Sequence, residues 1–168
     1  MRDYNKTLTA TVYVTNNGRV LLHMHKKYNT WFPLGGHIEE DELPHEAALR
    51  EVKEESGLDV TLFTAEDIAF STGLVGRIPQ PLRIYNEGIG SEEEFLDFIY
   101  AATALKDTPC SEDDESDIFR WFCADELLCT TEEIKLHIRN TALLSLYTVN
   151  GIPKEERRYF TETDGCFL

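Results

Sequence analysis

The segment REVKEESG, residues 50–57, carries Glu51, Glu54 and Glu55 at spacing i, i+3, i+4. On a helix they share one face, where each like-charge pair costs roughly 0.2–0.5 kcal/mol. Gly57 reads as the residue that stops this helix, so the carboxylates crowd the end whose dipole favours cations. A solvated face explains most Glu-rich helices. Carboxylates gathered against two penalties also suit a hard divalent cation, which prefers oxygen ligands. The flanking residues decide between these.

Residues 36–58 read GHIEEDELPHEAALREVKEESGL. In spacing and type they resemble the signature of the Nudix hydrolase family (MutT-like): Gly, five residues, Glu, seven residues, Arg-Glu-aliphatic-any-Glu-Glu-any-Gly-aliphatic. Gly36, Glu42, Arg50, Glu51, Val52, Glu54, Glu55, Gly57 and Leu58 fill every specified position. With Gly36, Arg50 and Gly57 all in place, the solvated-face reading loses its force.

The resemblance implies a metal-dependent enzyme. Water would attack a diphosphate linkage in a nucleoside diphosphate joined to another group X, such as an oxidised nucleoside triphosphate or an ADP-ribose-like compound. Glu51 and Glu55 would ligate Mg²⁺ or Mn²⁺, and Glu54 would be a ligand or would activate the water. The Gly35 carbonyl would complete the site, Arg50 would orient a glutamate through a bidentate pair, and Glu42 would support the loop. In parts of the family the general base lies outside the box, and Glu92, Glu93, Glu94, Asp97 and the cluster Glu112 to Asp117 are open alternatives here. A second reading is a Nudix-fold regulatory module that binds nucleotide without turnover. The family commonly forms dimers, so a homodimer is an expectation that no segment here specifies.

Positioning these residues requires strands around the helix. LTATVYV (8–14) and RVLLHMH flank Asn16-Asn17-Gly18, a hairpin signal. In WFPLGGHIE, Pro33 and the Gly35–Gly36 pair break any helix and favour extended chain. PHEAALREVKEES (44–56) reads as a helix with Pro44 in its first turn, a stripe on Ala48 and Val52, and Leu49 on the flank. Strands are expected at LDVTLF, PLRIYN and EFLDFIYAATAL, and IFRWFCADEL as a strand passing into a turn. A second helix is expected over 130–151, with Thr130 and Glu133 as its capping pattern. The expected class is α/β of the α+β type. By resemblance it is the Nudix α/β/α sandwich, a mixed sheet between helices. One domain over 1–168, with 152–168 as a peripheral tail, is the simplest organisation.

The pairs Trp31–Phe32 and Trp121–Phe122 read as core, while Tyr28 and Tyr85, nearer turns, could stack on a base. His37 reads as a substrate contact rather than a metal ligand, because a hard cation prefers carboxylates. The formal net charge of −15 disfavours duplex nucleic acid and anionic membrane, which both rely on Lys and Arg. The partner expected is a small phosphorylated nucleotide. Four cysteines without zinc-type spacing, and MRDYNKT without an apolar core, read as reduced thiols of a cytoplasmic protein.

Overall fold

The computed structural model describes residues 6–26, 28–64, 71–72, 75–76, 78–88, 93–110 and 118–158. Strands β1 (Lys6–Asn16) and β2 (Arg19–His25) form the expected hairpin. Asn17 and Gly18 turn it with φ of 48° and 72°, the positive pair that a two-residue loop matched to strand twist requires. Strands β3 (Thr30–Phe32) and β4 (Leu34–His37) follow, split at Pro33. β3 pairs with β2, and β4 crosses to β1 with Val12 opposite Leu34 and Thr9 opposite His37.

Helix α1 (Pro44–Ser56) starts with Pro44 and the Glu46 carboxylate returned to the Leu43 N–H, and stops at Gly57, φ 65°. Its buried stripe is Ala47, Ala48, Val52 and Ser56. Leu49 departs from expectation: it is exposed, since it lies about 100° around the helix from Ala48, on the solvent side. The short strands β5 (Val60–Leu62), β6 (Ser71–Thr72), β7 (Val75–Gly76) and β8 (Arg83–Glu87) precede β9 (Glu94–Ala104), and β10 (Phe119–Cys123) closes the set.

β9 runs parallel to β1, from Lys6 opposite Glu94 to Thr15 opposite Thr103, while its other partners are antiparallel. The sheet is therefore mixed, in the order β10-β2-β1-β9-β5, with β3, β4 and β8 on its flanks. Side chains alternate across it. Val12, Val14, Leu21 and Tyr100 pack on α1, whereas Tyr13, Val20, Leu22 and Ile99 face the opposite side. That side is covered by α2 (Ala124–Cys129) and α3 (Leu136–Val149), completing an α/β/α sandwich.

Two expectations change here. ADEL is not a simple turn but the start of α2, capped by Cys123 and by Glu126 returning to the Cys123 N–H at 2.8 Å. The second long helix begins at Leu136, not Thr130. The Thr130 hydroxyl accepts from the Glu132 N–H at 3.1 Å, and the Glu133 carbonyl takes the Trp31 N–H at 3.3 Å and the Thr30 hydroxyl. The Glu132 carboxylate accepts from the Trp31 indole and from Arg120. Bonds to β3 and β10 thus hold 130–135 out of the helix and override the capping pattern.

The α1 interface is narrow because small residues face the sheet. Ala48→Leu is expected to overpack it and destabilise the fold by about 1–3 kcal/mol, read from the urea midpoint; Leu49→Ala, on the exposed flank, should shift that midpoint much less.

Candidate active site

Arg50 is the hub of the loop–helix segment. Its Nε and one terminal nitrogen donate to the two oxygens of Glu42 at 2.9 and 3.0 Å, a bidentate pair. Its other terminal nitrogen donates to Glu51 at 2.8 Å and to Glu54 at 3.0 Å, and a further bond reaches the His37 carbonyl at 3.0 Å. These bonds hold the Glu42 carboxyl below its ordinary range and raise the Arg50 guanidinium, Glu42 being the largest cause. Glu42 also accepts from the Glu39 N–H at 3.1 Å, which closes the acidic loop onto the helix.

Opposite this face lies β4. Leu8 and Ile38 are hydrogen-bonded, and the register places Gly35 and His37 at the non-bonded positions facing β1. Their backbone groups therefore point away from β1, toward α1. There the Gly35 N–H donates to Glu55 at 2.9 Å. A Cβ on Gly36 would fall on the Glu51 carboxylate, and one on Gly35 would strike Ala10 and Thr11 of β1. Gly35 also has φ 149°, which L side chains rarely adopt.

Among the described residues, no three His, Cys, Asp or Glu side chains converge tightly enough to hold a metal ion. The reason is visible: Arg50 draws Glu51 and Glu54, and the Gly35 amide draws Glu55. The donor set is all oxygen, and the Cβ-free cradle at Gly36 lies directly against Glu51. Its chemistry fits a hard divalent cation once these carboxylates turn from their present partners.

Gly35 and Gly36 also line a cavity of about 430 Å³ on the α3 side of the sheet. Tyr28, Phe32, Tyr85 and Phe95 contribute aromatic surface, and Lys135 sits 5.2 Å from the Phe32 ring centre and 5.9 Å from that of Tyr28. On the floor, Asp97 is buried and accepts from the Thr9 and Thr11 hydroxyls at 3.0 and 2.8 Å. Burial pushes its carboxyl up to about 6, against the pull of those two bonds.

The NUDIX domain profile matches residues 5–147. The chain is 33% identical to a Nudix-family hydrolase from Clostridium perfringens, over 86% of this chain and 99% of that one, with a TM-score of 0.76. This chain belongs to the Nudix family. It is a hydrolase of that family, and the fold is shared more distantly with a MutT Nudix hydrolase from Burkholderia pseudomallei (20% identity, 86% and 98% coverage, TM-score 0.61). An ADP-ribose pyrophosphatase from Streptococcus suis also shares it (16%, 89% and 95%, 0.57). No curated protein gives a significant match.

Around the Nudix box the structure gathers Gly35, Gly36, Glu42, Arg50, Glu51, Glu54 and Glu55, with Gly57 ending α1. It brings Tyr28 and Tyr85 to the cavity and leaves His37 outside its lining, exposed and 6.4 Å from the Phe95 ring. Of the alternatives for a base, Asp97 and Glu93 line the cavity, Glu94 pairs with Lys6 at 3.3 Å, and Glu92 and 112–117 lie outside the described residues. Phe32, read as core, is half-buried and lines the cavity instead, because it projects to the α3 side at the sheet's open end. Thr9, Thr11 and Lys135 carried no local signal, since only strand pairing and the late helix bring them together.

The raised Asp97 carboxyl gives a signed pH effect. Its folded value of about 6 exceeds the ordinary 3.8, so its stabilising contribution is full below the ordinary value and is lost as pH rises through about 6. Between pH 5 and 8, Asp97→Asn should gain about 1.5 kcal/mol of stability relative to wild type. Denaturant unfolding at both pH values checks this; a pH-independent difference contradicts it.

Proposed function

We propose that the protein hydrolyses a diphosphate linkage in a small nucleotide, a nucleoside diphosphate joined to another group X, with Mg²⁺ or Mn²⁺. The carrying observation is the Gly35–Gly36 strand, which touches the Glu51 and Glu55 carboxylates and also lines the cavity. Two residues without side chains let a phosphate chain pass from the cavity to the carboxylates.

Glu51, Glu55 and the Gly35 carbonyl would hold the cation, with Glu54 as a further ligand or the group that takes a proton from water. A cation bound there would neutralise developing charge and make bound water more acidic. Glu54 is the most solvent-reaching of the carboxylates held by Arg50, its side chain 55% exposed against 15% for Glu51. That exposure suits a group that must meet water. Arg50 orients Glu51 and Glu54 until they are engaged, then stays anchored by its pair to Glu42. Tyr28 and Phe32 flank the bound base or X group. In the reaction, water oxygen bonds to one phosphorus, the bond to the bridging oxygen breaks, and the bridging oxygen leaves on a phosphate-bearing fragment. Oxidised nucleoside triphosphates and ADP-ribose-like compounds are the substrates to try first.

The reading places the enzyme, as one domain, in the cytoplasm, where the free thiols Cys110, Cys123 and Cys129 stay reduced. Among the described residues no helix is long and apolar enough to cross a membrane.

The alternative reading is a Nudix-fold module that binds nucleotide without turnover. A substrate panel with Mg²⁺ or Mn²⁺, run on wild type and Glu54→Gln, separates the two. The enzyme reading expects metal-dependent release of a phosphate-bearing product, reduced on the order of 10²-fold or more in the variant with nucleotide binding retained. Nucleotide binding with no turnover in wild type would establish the module.

A further inference from the structure

The hydrogen atoms on the cavity floor have determined directions. The Thr9 and Thr11 hydroxyls donate to the Asp97 carboxylate, so neither has a hydrogen left for a ligand. The Thr141 hydroxyl donates to the His137 carbonyl at 2.8 Å, so the 3.0 Å contact between Tyr85 and Thr141 has Tyr85 as donor, turned into α3. Glu87, on the same wall, is a carboxylate as well. Asp97 and Glu87 therefore present acceptors to the cavity, while the Thr9, Thr11 and Tyr85 hydroxyls have no hydrogen left for a ligand. Each Asp97 oxygen accepts one threonine hydrogen and retains a second lone-pair direction.

A ligand edge that brings an acceptor to Asp97 would leave two acceptors facing each other in a buried site, which is costly. An edge with two adjacent N–H groups would satisfy both oxygens. Phe32 and Tyr28 line the same cavity, and their aromatic surface suits a flat ring carrying that edge. Lys135, over those rings, is exposed to solvent.

We propose that Asp97, held by Thr9 and Thr11, is the specificity-determining residue of the cavity and selects a planar heterocycle presenting two adjacent N–H donors, the edge formed by N1–H and the 2-amino group of guanine. The assignment rests on the nucleotide reading of the cavity but not on turnover. Adenine presents an amino donor beside a ring acceptor, and hypoxanthine lacks the 2-amino donor, so both leave Asp97 mismatched.

The experiment is calorimetric binding of GMP, IMP and AMP, with no hydrolysable linkage present, to wild type and Asp97→Asn. Wild type is expected to bind GMP about tenfold or more tightly than IMP or AMP. The amide of Asp97→Asn offers one acceptor and one donor and no longer matches two adjacent donors, so the preference for GMP over IMP and AMP should be lost. A loss of affinity for all three nucleotides in the variant, with wild-type preference for GMP absent, would overturn the assignment. So would equal binding of the three by wild type, or no binding at all, and neither result depends on the variant folding. GMP preference without hydrolysis of any guanine nucleotide would instead leave the assignment standing and remove the hydrolase reading. Hydrolysis of nucleotides with no base preference would do the reverse.

Discussion

A single guanidinium makes the acidic helix face tenable. Glu51 and Glu54 belong to the same turn of α1, and Glu42 closes in from the preceding loop. Without a cation between them, these carboxylates would repel across a distance too short for salt to screen fully. Arg50 answers with a planar fork whose donors each have a different acceptor, a geometry that the point charge of a lysine could not supply. It also reaches the His37 carbonyl, so that the same side chain ties the helix, the loop and β4 into one unit. The charge arrangement is resolved locally, and the rest of the site inherits its positions from it.

That unit can only close because β4 has no side chains where it meets the helix. The Gly35 amide meets Glu55, and Gly36 leaves room for the Glu51 carboxylate. The close approach of β4 to β1 imposes the same restriction from the other side, since a Cβ on Gly35 would strike Ala10 and Thr11. The two glycines thus serve two masters: sheet packing on one side and carboxylate packing on the other. A side chain at Gly35 would disturb the sheet, and one at Gly36 the carboxylate.

Much of this was legible in local spacing. The Nudix box, the Asn17–Gly18 hairpin and the Pro44-to-Gly57 helix are each specified within a short segment, where residue type and backbone geometry are directly linked. What failed were local signals with a tertiary competitor. Thr130 and Glu133 form a sound capping pattern, but Glu133 is bound at its carbonyl by β3, and the helix starts later. Phe32 resembled core because strand aromatics usually are, yet it stands where the sheet opens into the cavity. Asp97 could be named only as one acidic residue among many, because nothing near it in sequence reveals its threonine partners.

Those partners come from the register of the parallel pair. Thr9 stands opposite Asp97, and Thr11 is two residues further along the same face. The intervening Ala10 points to α1 with Val12 and Val14, so β1 supplies hydrophobic packing on one face and hydroxyls on the other. A slip of one residue between β1 and β9 would turn Asp97 into the aliphatic layer under α1 and bring Phe98 into the cavity, exchanging a polar floor for an apolar one. The pattern that buries the sheet against α1 is therefore the same pattern that fixes the cavity floor. Recognition in the cavity is not an ornament added to the fold; it is enforced by the hydrophobic alternation that makes the fold stable.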